Sequence, residues 1–282
     1  MATEAARAAI ADSDLEVADI DLILMSTITN DFRLPQAVSI VQSNLGSKAK
    51  FIQVDSACTG FIDGLMVAKG MMKAHGYKNV LLIGADTLTY FNAPEKFMPL
   101  TVFGDGAGAV VLQDRDDLNS YGIAKFVTGS DGDRGDYIWV PGGASKEPFS
   151  QEVLDNGRHY WRFKFPDIYE YAIERMCRCA LDVIEETGLT LDDVAWFVPH
   201  QASVNIIMDV IHRLEVPEEM AVLTYPHTGN LSAASIPVAL HEAASQGTFS
   251  DGDWLVMPAV GAGMAWGAVT YRWFDNRSQN GH

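Results

Sequence analysis

The 282 residues predict an α/β protein in which one strand-and-helix unit is used twice. Three observations carry that reading. Short apolar segments alternate with helically spaced ones, the same order of elements returns after a polar stretch in mid-chain, and each copy puts small and polar residues at a strand-to-helix turn. The repeat predicts two similar halves, residues 1–119 and 120–282, packed back to back.

Residues 3–12 have helical spacing, and the apolar run within 19–27 reads as a buried strand. A helix at about 35–45 leads to a strand at 51–55. Ala57-Cys58-Thr59-Gly60 then opens a helix over 61–74, and strands at 80–84 and 107–112 close the half. In the second half the helix at 167–187 buries Ile168, Tyr171, Ala172, Met176, Cys179, Ala180 and Val183 on one face. The strand at 194–198, the helix at about 203–214 and a strand at 221–225 follow. Gly229-Asn230-Leu231-Ser232 opens the helix 233–245, and 254–257 pairs with 268–273. This half also starts with a strand, 121–128, before a Gly/Asp-rich insertion near 129–160. The first half starts directly with its helix, so the match predicts a first strand missing ahead of it, which leaves two readings: Met1 is an internal methionine, or the chain is unusual for its class.

Composition narrows the function classes. The net charge of −17 opposes nucleic-acid binding, because neutralising phosphates takes a surplus of Lys and Arg. No apolar run approaches the roughly 20 residues of a membrane span, and the N-terminus lacks a signal-peptide pattern, so a cytoplasmic protein without membrane contact is expected. Of three cysteines, Cys177 and Cys179 lie two apart on a helix with diverging side chains, which suggests neither a disulfide framework nor a metal site. Cys58 is read on its own.

A thiol is a nucleophile as its thiolate, and a helix N-terminus lowers its pKa from about 8.5. Cys58 sits at such a turn. His200, in Val198-Pro199-His200-Gln201-Ala202, follows a strand and precedes a helix, where open α/β sheets present side chains to ligands. Each candidate has an ordinary reading too: Cys58 as a packing residue, His200 as a capped surface imidazole, Asn230 as a helix cap. Position in the repeat shifts the weight. Cys58 and Asn230 fall at equivalent turns and His200 follows the neighbouring strand, so a pseudo-twofold arrangement brings all three to one cleft. The glycines of 103–108 precede a strand and lack a following Gly-Lys-Ser/Thr, which excludes a phosphate loop. The turn at 260–264 lets backbone N–H groups, that of Gly263 above all, form an oxyanion hole with the N–H of Cys58.

Four segments in order, Asp55-Ser56-Ala57-Cys58-Thr59-Gly60-Phe61, Phe103-Gly104-Asp105-Gly106-Ala107-Gly108-Ala109, Val198-Pro199-His200-Gln201-Ala202 and Gly229-Asn230-Leu231-Ser232-Ala233-Ala234-Ser235-Ile236-Pro237, resemble the beta-ketoacyl-acyl carrier protein synthase III family. The resemblance spans nearly the whole chain. It implies the thiolase fold, with two βαβαβαββ halves in five αβαβα layers, and Cys58, His200 and Asn230 as catalytic residues. It implies acyl-CoA and acyl carrier protein as partners, a homodimer, no permanently bound cofactor or metal, and coenzyme A and phosphopantetheine thioesters as substrates. The reaction implied is acylation of Cys58 followed by decarboxylative condensation with malonyl-carrier.

The same resemblance marks departures. Leu34 stands where a residue, commonly Phe, reaches across the dimer to floor the partner's acyl pocket. Ser203 and Asn205 replace an Asn and a basic residue that help contact coenzyme A or carrier. Lys164 and Arg213, with Arg175 and Arg178, are weaker candidates for that contact, each with a solvated-face alternative. The strand missing from the first half is expected to be central in its sheet. Two other functions stay open: a same-fold acyltransferase acting on a hydroxyl or amine or loading a polyketide synthase, and an inactive scaffold subunit. Thiolase itself is disfavoured because the 261–263 turn carries no second cysteine.

Overall fold

The computed structural model describes residues 1–118 and 120–275. The expected boundary between halves falls at Asn119, which with 276–282 lies outside the described residues. The strands are β1 (Leu22–Ser26), β2 (Lys50–Val54), β3 (Asn79–Thr87), β4 (Asp105–Gln113), β5 (Gly122–Ser130), β6 (Ile138–Trp139), β7 (Arg162–Phe163), β8 (Val194–Phe197), β9 (Trp254–Gly261) and β10 (Ala265–Arg272). The helices are α1 (Ala2–Ala11), α2 (Ala37–Leu45), α3 (Gly60–His75), α4 (Phe97–Val102), α5 (Gln151–Asp155), α6 (Asp167–Thr187), α7 (Val204–Arg213), α8 (Tyr225–Thr228) and α9 (Ser235–Ser245). Most expected elements stand within a few residues of their predicted bounds.

Two four-stranded sheets, β2-β1-β3-β4 and β5-β10-β9-β8, set the layers. Their strands alternate because successive side chains leave a strand on opposite faces. Leu22 and Leu24 of β1 and Val80 and Leu82 of β3 face α3 and α9 in the middle of the molecule. Ile23 and Met25, with Leu81 and Ile83, face Ala6 and Ile10 of α1 and Val38 and Val41 of α2 on the outside. In the second sheet Leu255 and Met257 of β9 join the middle layer, while Val256 and Val260 meet Met176, Val183 and Ile207 of α6 and α7. The result is the five-layer stack expected of the thiolase fold. Burying one such Leu or Ile side chain stabilises by roughly 1.5–3 kcal/mol, and apolar residues on both strand faces make each sheet the floor of two layers. The halves touch through backbone: a Cβ on Gly84 of β3 would stand 2.2 Å from the carbonyl oxygen of Ala233.

Two expectations need correction. The strand predicted at 221–225 is absent; Ala221 makes one isolated bridge to Phe197, and Tyr225 already starts α8. The reason is the fully buried Gln201. Its Nε2 donates to the carbonyls of Pro199 and Val222, at 2.9 and 3.1 Å, and its Oε1 accepts from the N–H groups of Thr224 and Tyr225, at 2.9 and 3.0 Å. A side chain thereby satisfies backbone groups that a strand partner would otherwise meet. The second correction concerns the expected central strand. Its counterpart in the second half, β5, lies at the sheet edge beyond β10, so the matching place in the first sheet is the edge beside β4. The Gly/Asp-rich insertion also carries structure, since β6 and β7 pair as an antiparallel ribbon and α5 lies between them.

Replacing Gln201 with Leu strands two buried N–H groups, at about 1–3 kcal/mol each. We expect the unfolding temperature to fall by several degrees; an unchanged melting curve would show that the amide is dispensable.

Candidate active site

Each half starts a middle-layer helix from a tight turn, which follows β2 in the first half and α8 in the second. Ala57–Thr59 is a 3-10 turn leading into α3, and Ser232–Ala234 is its counterpart leading into α9. Both turns open on a residue in the left-handed region, Ala57 at φ 45° and Ser232 at φ 52°. Non-glycine residues hold that conformation at a cost, and such strain gathers where a side chain must be aimed. Matched residue by residue, Cys58 corresponds to Ala233 and Asn230 to Asp55, each three places earlier. The turns are thus equivalent as expected, while Cys58 and Asn230 take different positions within them.

Cys58, Ser232 and Gly263 share the wall of a cavity of about 410 Å³. Much of the rest is aromatic: Phe91, Phe103, Trp139 and Trp161. Trp161 stacks on Phe103, with ring centroids 5.0 Å apart, and meets Phe91 edge-on at 5.1 Å. Trp139 and Trp161 come from the insertion and from β7's approach, stretches with no periodic signal. The closing turn reaches the backbone of Cys58 closely, because a Cβ on Gly261 would stand 3.1 Å from its nitrogen. Cys58 and Gly263 both line the cavity.

His200 and Asn230 are not part of that wall but are buried in segments that adjoin it. His200 is 1 % exposed and anchored by its N–H to the carbonyl of Pro258 on β9, at 2.8 Å. Asn230 exchanges backbone hydrogen bonds with Val102 and Gly104, either side of the wall residue Phe103, at 2.8 and 3.0 Å. Its Oδ1 accepts the N–H of Ser232 at 2.8 Å, which fixes the amide so that Nδ2 is the donor left over.

Electrostatics depart from expectation at the thiol. Burial pushes Cys58 up to about 12, and the nearby Asp86 carboxylate adds to the shift; the Ser232 hydroxyl and a backbone N–H oppose it without overcoming it. Desolvation outweighs the helix N-terminus that the sequence suggested as the dominant influence. Burial also lowers His200 from 6.5 to about 3, so its imidazole is neutral. Cys177 and Cys179 are buried in α6, with thiols pushed up to about 11 and about 12 by burial.

The remaining candidates separate. Leu34 is 79 % exposed beside exposed Phe32 and lines no part of its own chain's cavity. Ser203 caps α7, accepting from the N–H of Ile206, and Asn205 is exposed. Lys164 pairs with Asp136, Arg213 with Glu170 at 2.8 Å, and Arg178 with Asp182 at 2.9 Å. Arg175 lies over the rings of Tyr171 and Trp266, at 5.1 and 4.7 Å. Among the described residues no group of three or more His, Cys, Asp or Glu is placed to hold a metal ion.

Residues 52–132 match the family model for 3-oxoacyl-[acyl-carrier-protein (ACP)] synthase III, and residues 184–273 match the model for its C-terminal part. The chain is 37% identical to beta-ketoacyl-[acyl-carrier-protein] synthase III of Roseiflexus castenholzii over 95% of its own length and 81% of the relative's. It is likewise 37% identical to the Clostridioides difficile enzyme of the same description, over 97% and 83%. The solved 3-oxoacyl-[acyl-carrier-protein] synthase III of Aquifex aeolicus superposes with a TM-score of 0.87 at 33% identity, covering 97% of this chain and 83% of that one. A priming beta-ketosynthase from the R1128 polyketide pathway superposes with a TM-score of 0.87 at 28% identity, over 98% and 81%. The chain belongs to the 3-oxoacyl-[acyl-carrier-protein] synthase III family.

A histidine held neutral by the fold gives stability that is complete above its ordinary pKa of 6.5 and is lost as pH falls toward about 3. We expect the melting temperature of the native chain to fall more steeply between about pH 7 and about pH 4.5 than that of His200→Gln. Parallel curves would contradict a buried neutral imidazole.

Proposed function

Starting from that membership, we propose that the chain is a condensing acyltransferase in which Cys58 takes an acyl group from coenzyme A and malonyl on an acyl carrier protein extends it. The observation that carries this reading is a free cysteine at the N-terminal turn of α3, on the wall of an apolar cavity that Gly263 of the closing turn also lines.

In the first step the Cys58 sulfur adds to the acyl-CoA carbonyl. The coenzyme A thiolate leaves and takes up a proton, and the acyl group remains as a thioester of similar reactivity, so the transfer is nearly balanced. The N–H groups of Cys58 and Gly263 hold the transient oxyanion. In the second step malonyl thioester loses carbon dioxide, and the electrons of the broken bond become an enolate. The neutral imidazole of His200 and Nδ2 of Asn230 each donate to its oxygen. The carbanion then attacks the Cys58 thioester, Cys58 leaves as thiolate, and a 3-oxoacyl thioester departs. A neutral His suits this role, because it donates one hydrogen bond without adding a charge to be desolvated. Coenzyme A and phosphopantetheine thioesters enter and leave as substrates, with no permanently bound cofactor.

The partner surface is also part of this reading. Exposed Leu34 and Phe32 and the open outer edge of β2 support a homodimer in which Leu34 reaches the partner's acyl pocket. A cytoplasmic location fits the finding that no helix among the described residues is long and apolar enough to cross a membrane. A second reading, transfer to a hydroxyl or amine, draws on the pairing of Lys164 and Arg213 with carboxylates, which occupies two cations a carrier's phosphate would otherwise meet. Asn230 favours condensation, since only decarboxylation generates an enolate for it to hold.

Cys58→Ala is expected to take no acyl group from acyl-CoA, read as intact mass. Asn230→Ala is expected to acylate normally and to lose malonyl-dependent product by about 10²–10³-fold, the worth of one oxyanion donor. Equal loss of both activities in a folded Asn230 variant would contradict the roles assigned.

A further inference from the structure

The cavity beside Cys58 measures about 410 Å³, which lies within the range of small-molecule sites and exceeds what a two-carbon acyl group fills. Four aromatic side chains, Phe91, Phe103, Trp139 and Trp161, make up much of its wall. Two of them are fixed in place. Trp161 and Phe103 are 7 % and 8 % exposed, their rings stack at 5.0 Å, and Phe163 stacks on Phe103 at 6.0 Å. The Trp161 indole donates to the carbonyl of Leu88 at 3.4 Å, and its backbone N–H donates to the carbonyl of Phe91 at 3.0 Å. Leu88 is itself buried in the same cluster. Rings packed and bonded in this way do not move in to close on a small ligand. An acyl group that leaves the space unfilled therefore forgoes contacts that the wall cannot restore.

The polar side chains of the wall belong to the two turns or to the residues just before the first: Asp55, Ser56, Cys58 and Ser232. Among the described residues no Lys, Arg or His lines the cavity. An acyl group with a carboxylate of its own meets the charge of Asp55 there and no counter-charge, so the wall disfavours dicarboxylic acyl groups on Cys58.

Three neutral classes differ in what this wall gives them. Short and branched aliphatic groups leave it underfilled. A long straight chain fills it but must fix a torsion at every methylene. A single aromatic ring, joined to the thioester carbonyl directly or through one methylene, enters as a rigid plate with few torsions to fix. Edge-to-face or offset contacts of that ring with other rings also gain more than the area they bury, which an aliphatic group does not.

Resting on the assignment of Cys58 as nucleophile, we propose that the primer is an aromatic acyl group of the benzoyl or phenylacetyl class, selected by Phe91, Phe103 and Trp161. The Cys58 sulfur bonds to the carbonyl carbon of the aromatic acyl-CoA, the bond from that carbon to the coenzyme A sulfur breaks, and the thiol proton is made up on the departing coenzyme A thiolate. Malonyl-carrier then loses carbon dioxide, and its carbanion displaces Cys58. The product is a 3-oxoacyl thioester with the ring on C3 or one carbon beyond it.

The test compares benzoyl-, phenylacetyl-, acetyl-, isobutyryl- and octanoyl-CoA as acyl donors to Cys58 of the full chain, read by intact mass. The kcat/KM of the better aromatic donor is expected to exceed that of each aliphatic donor by at least about tenfold. Trp161→Leu brings the ratio to within about threefold, whereas Trp161→Phe, which keeps a ring, retains the preference. Phe91→Leu, at a half-buried wall position, lowers the ratio as well and gives a second variant that does not disturb the buried stack. Melting curves establish that the variants are folded. Calorimetric titration of Cys58→Ala with the same thioesters, which needs no acyl transfer, is expected to give the same order of affinity.

An aliphatic donor as fast as both aromatic ones overturns the proposal, and so does an aromatic preference that survives unchanged in Trp161→Leu and Phe91→Leu. Acylation of Cys58 without aromatic preference removes the selectivity and leaves Cys58 as nucleophile. Tighter binding of the aromatic thioesters to Cys58→Ala, with no acyl adduct on the native chain, removes the nucleophile and with it the aromatic primer.

Discussion

The site depends on the contact between two backbone turns, Ala57–Thr59 and Ser232–Ala234, pressed together at the seam of the two halves. Gly84 makes that approach possible, because any side chain there would collide with the carbonyl of Ala233. Gly261 serves the same end from β9, where it closes on the nitrogen of Cys58. Backbone packed this tightly cannot yield by rotating a side chain, so Cys58, Asn230 and the closing turn are held in one fixed relation. The strain at Ala57 and Ser232 is sustained by the middle-layer helices, whose Phe61, Ile62, Ile236 and Ala239 are almost fully buried.

That seam also explains the unusual electrostatics. Burial at that seam raises the thiol of Cys58 and keeps the imidazole of His200 neutral. Burial thus moves Cys58 and His200 in opposite directions, each toward its neutral form. The aromatic wall contributed by the insertion extends the same low-dielectric surroundings to the acyl group.

The layered fold was legible because both sheets have middle strands buried on two faces, which read as continuous apolar runs at β1, β3 and β9, and because α6 carries an uninterrupted helical stripe. Cys58, His200 and Asn230 could be singled out as candidates through the turns they occupy and the motifs around them. What escaped the sequence depends on contacts between distant segments. Gln201 displaces an expected strand by supplying hydrogen bonds from a side chain, which no local periodicity records. Trp139 and Trp161 stand in an insertion whose composition reads as loop. Asp86 looks like an ordinary residue at the end of a strand until the Ser232 turn of the other half covers it. The edge position of β5 likewise follows from strand order, which alternation alone leaves open.

The central claim is that an acyl group borne on Cys58 lies in the aromatic cavity with its carbonyl oxygen held by two backbone N–H groups. A crystal structure of the acylated chain tests it most directly. The account predicts a thioester on Cys58, its oxygen within hydrogen-bond distance of the nitrogens of Cys58 and Gly263, and the acyl chain against Phe103 and Trp161. Acyl density on Cys177 or Cys179, or a Cys58 thioester whose oxygen points away from both N–H groups, would contradict it.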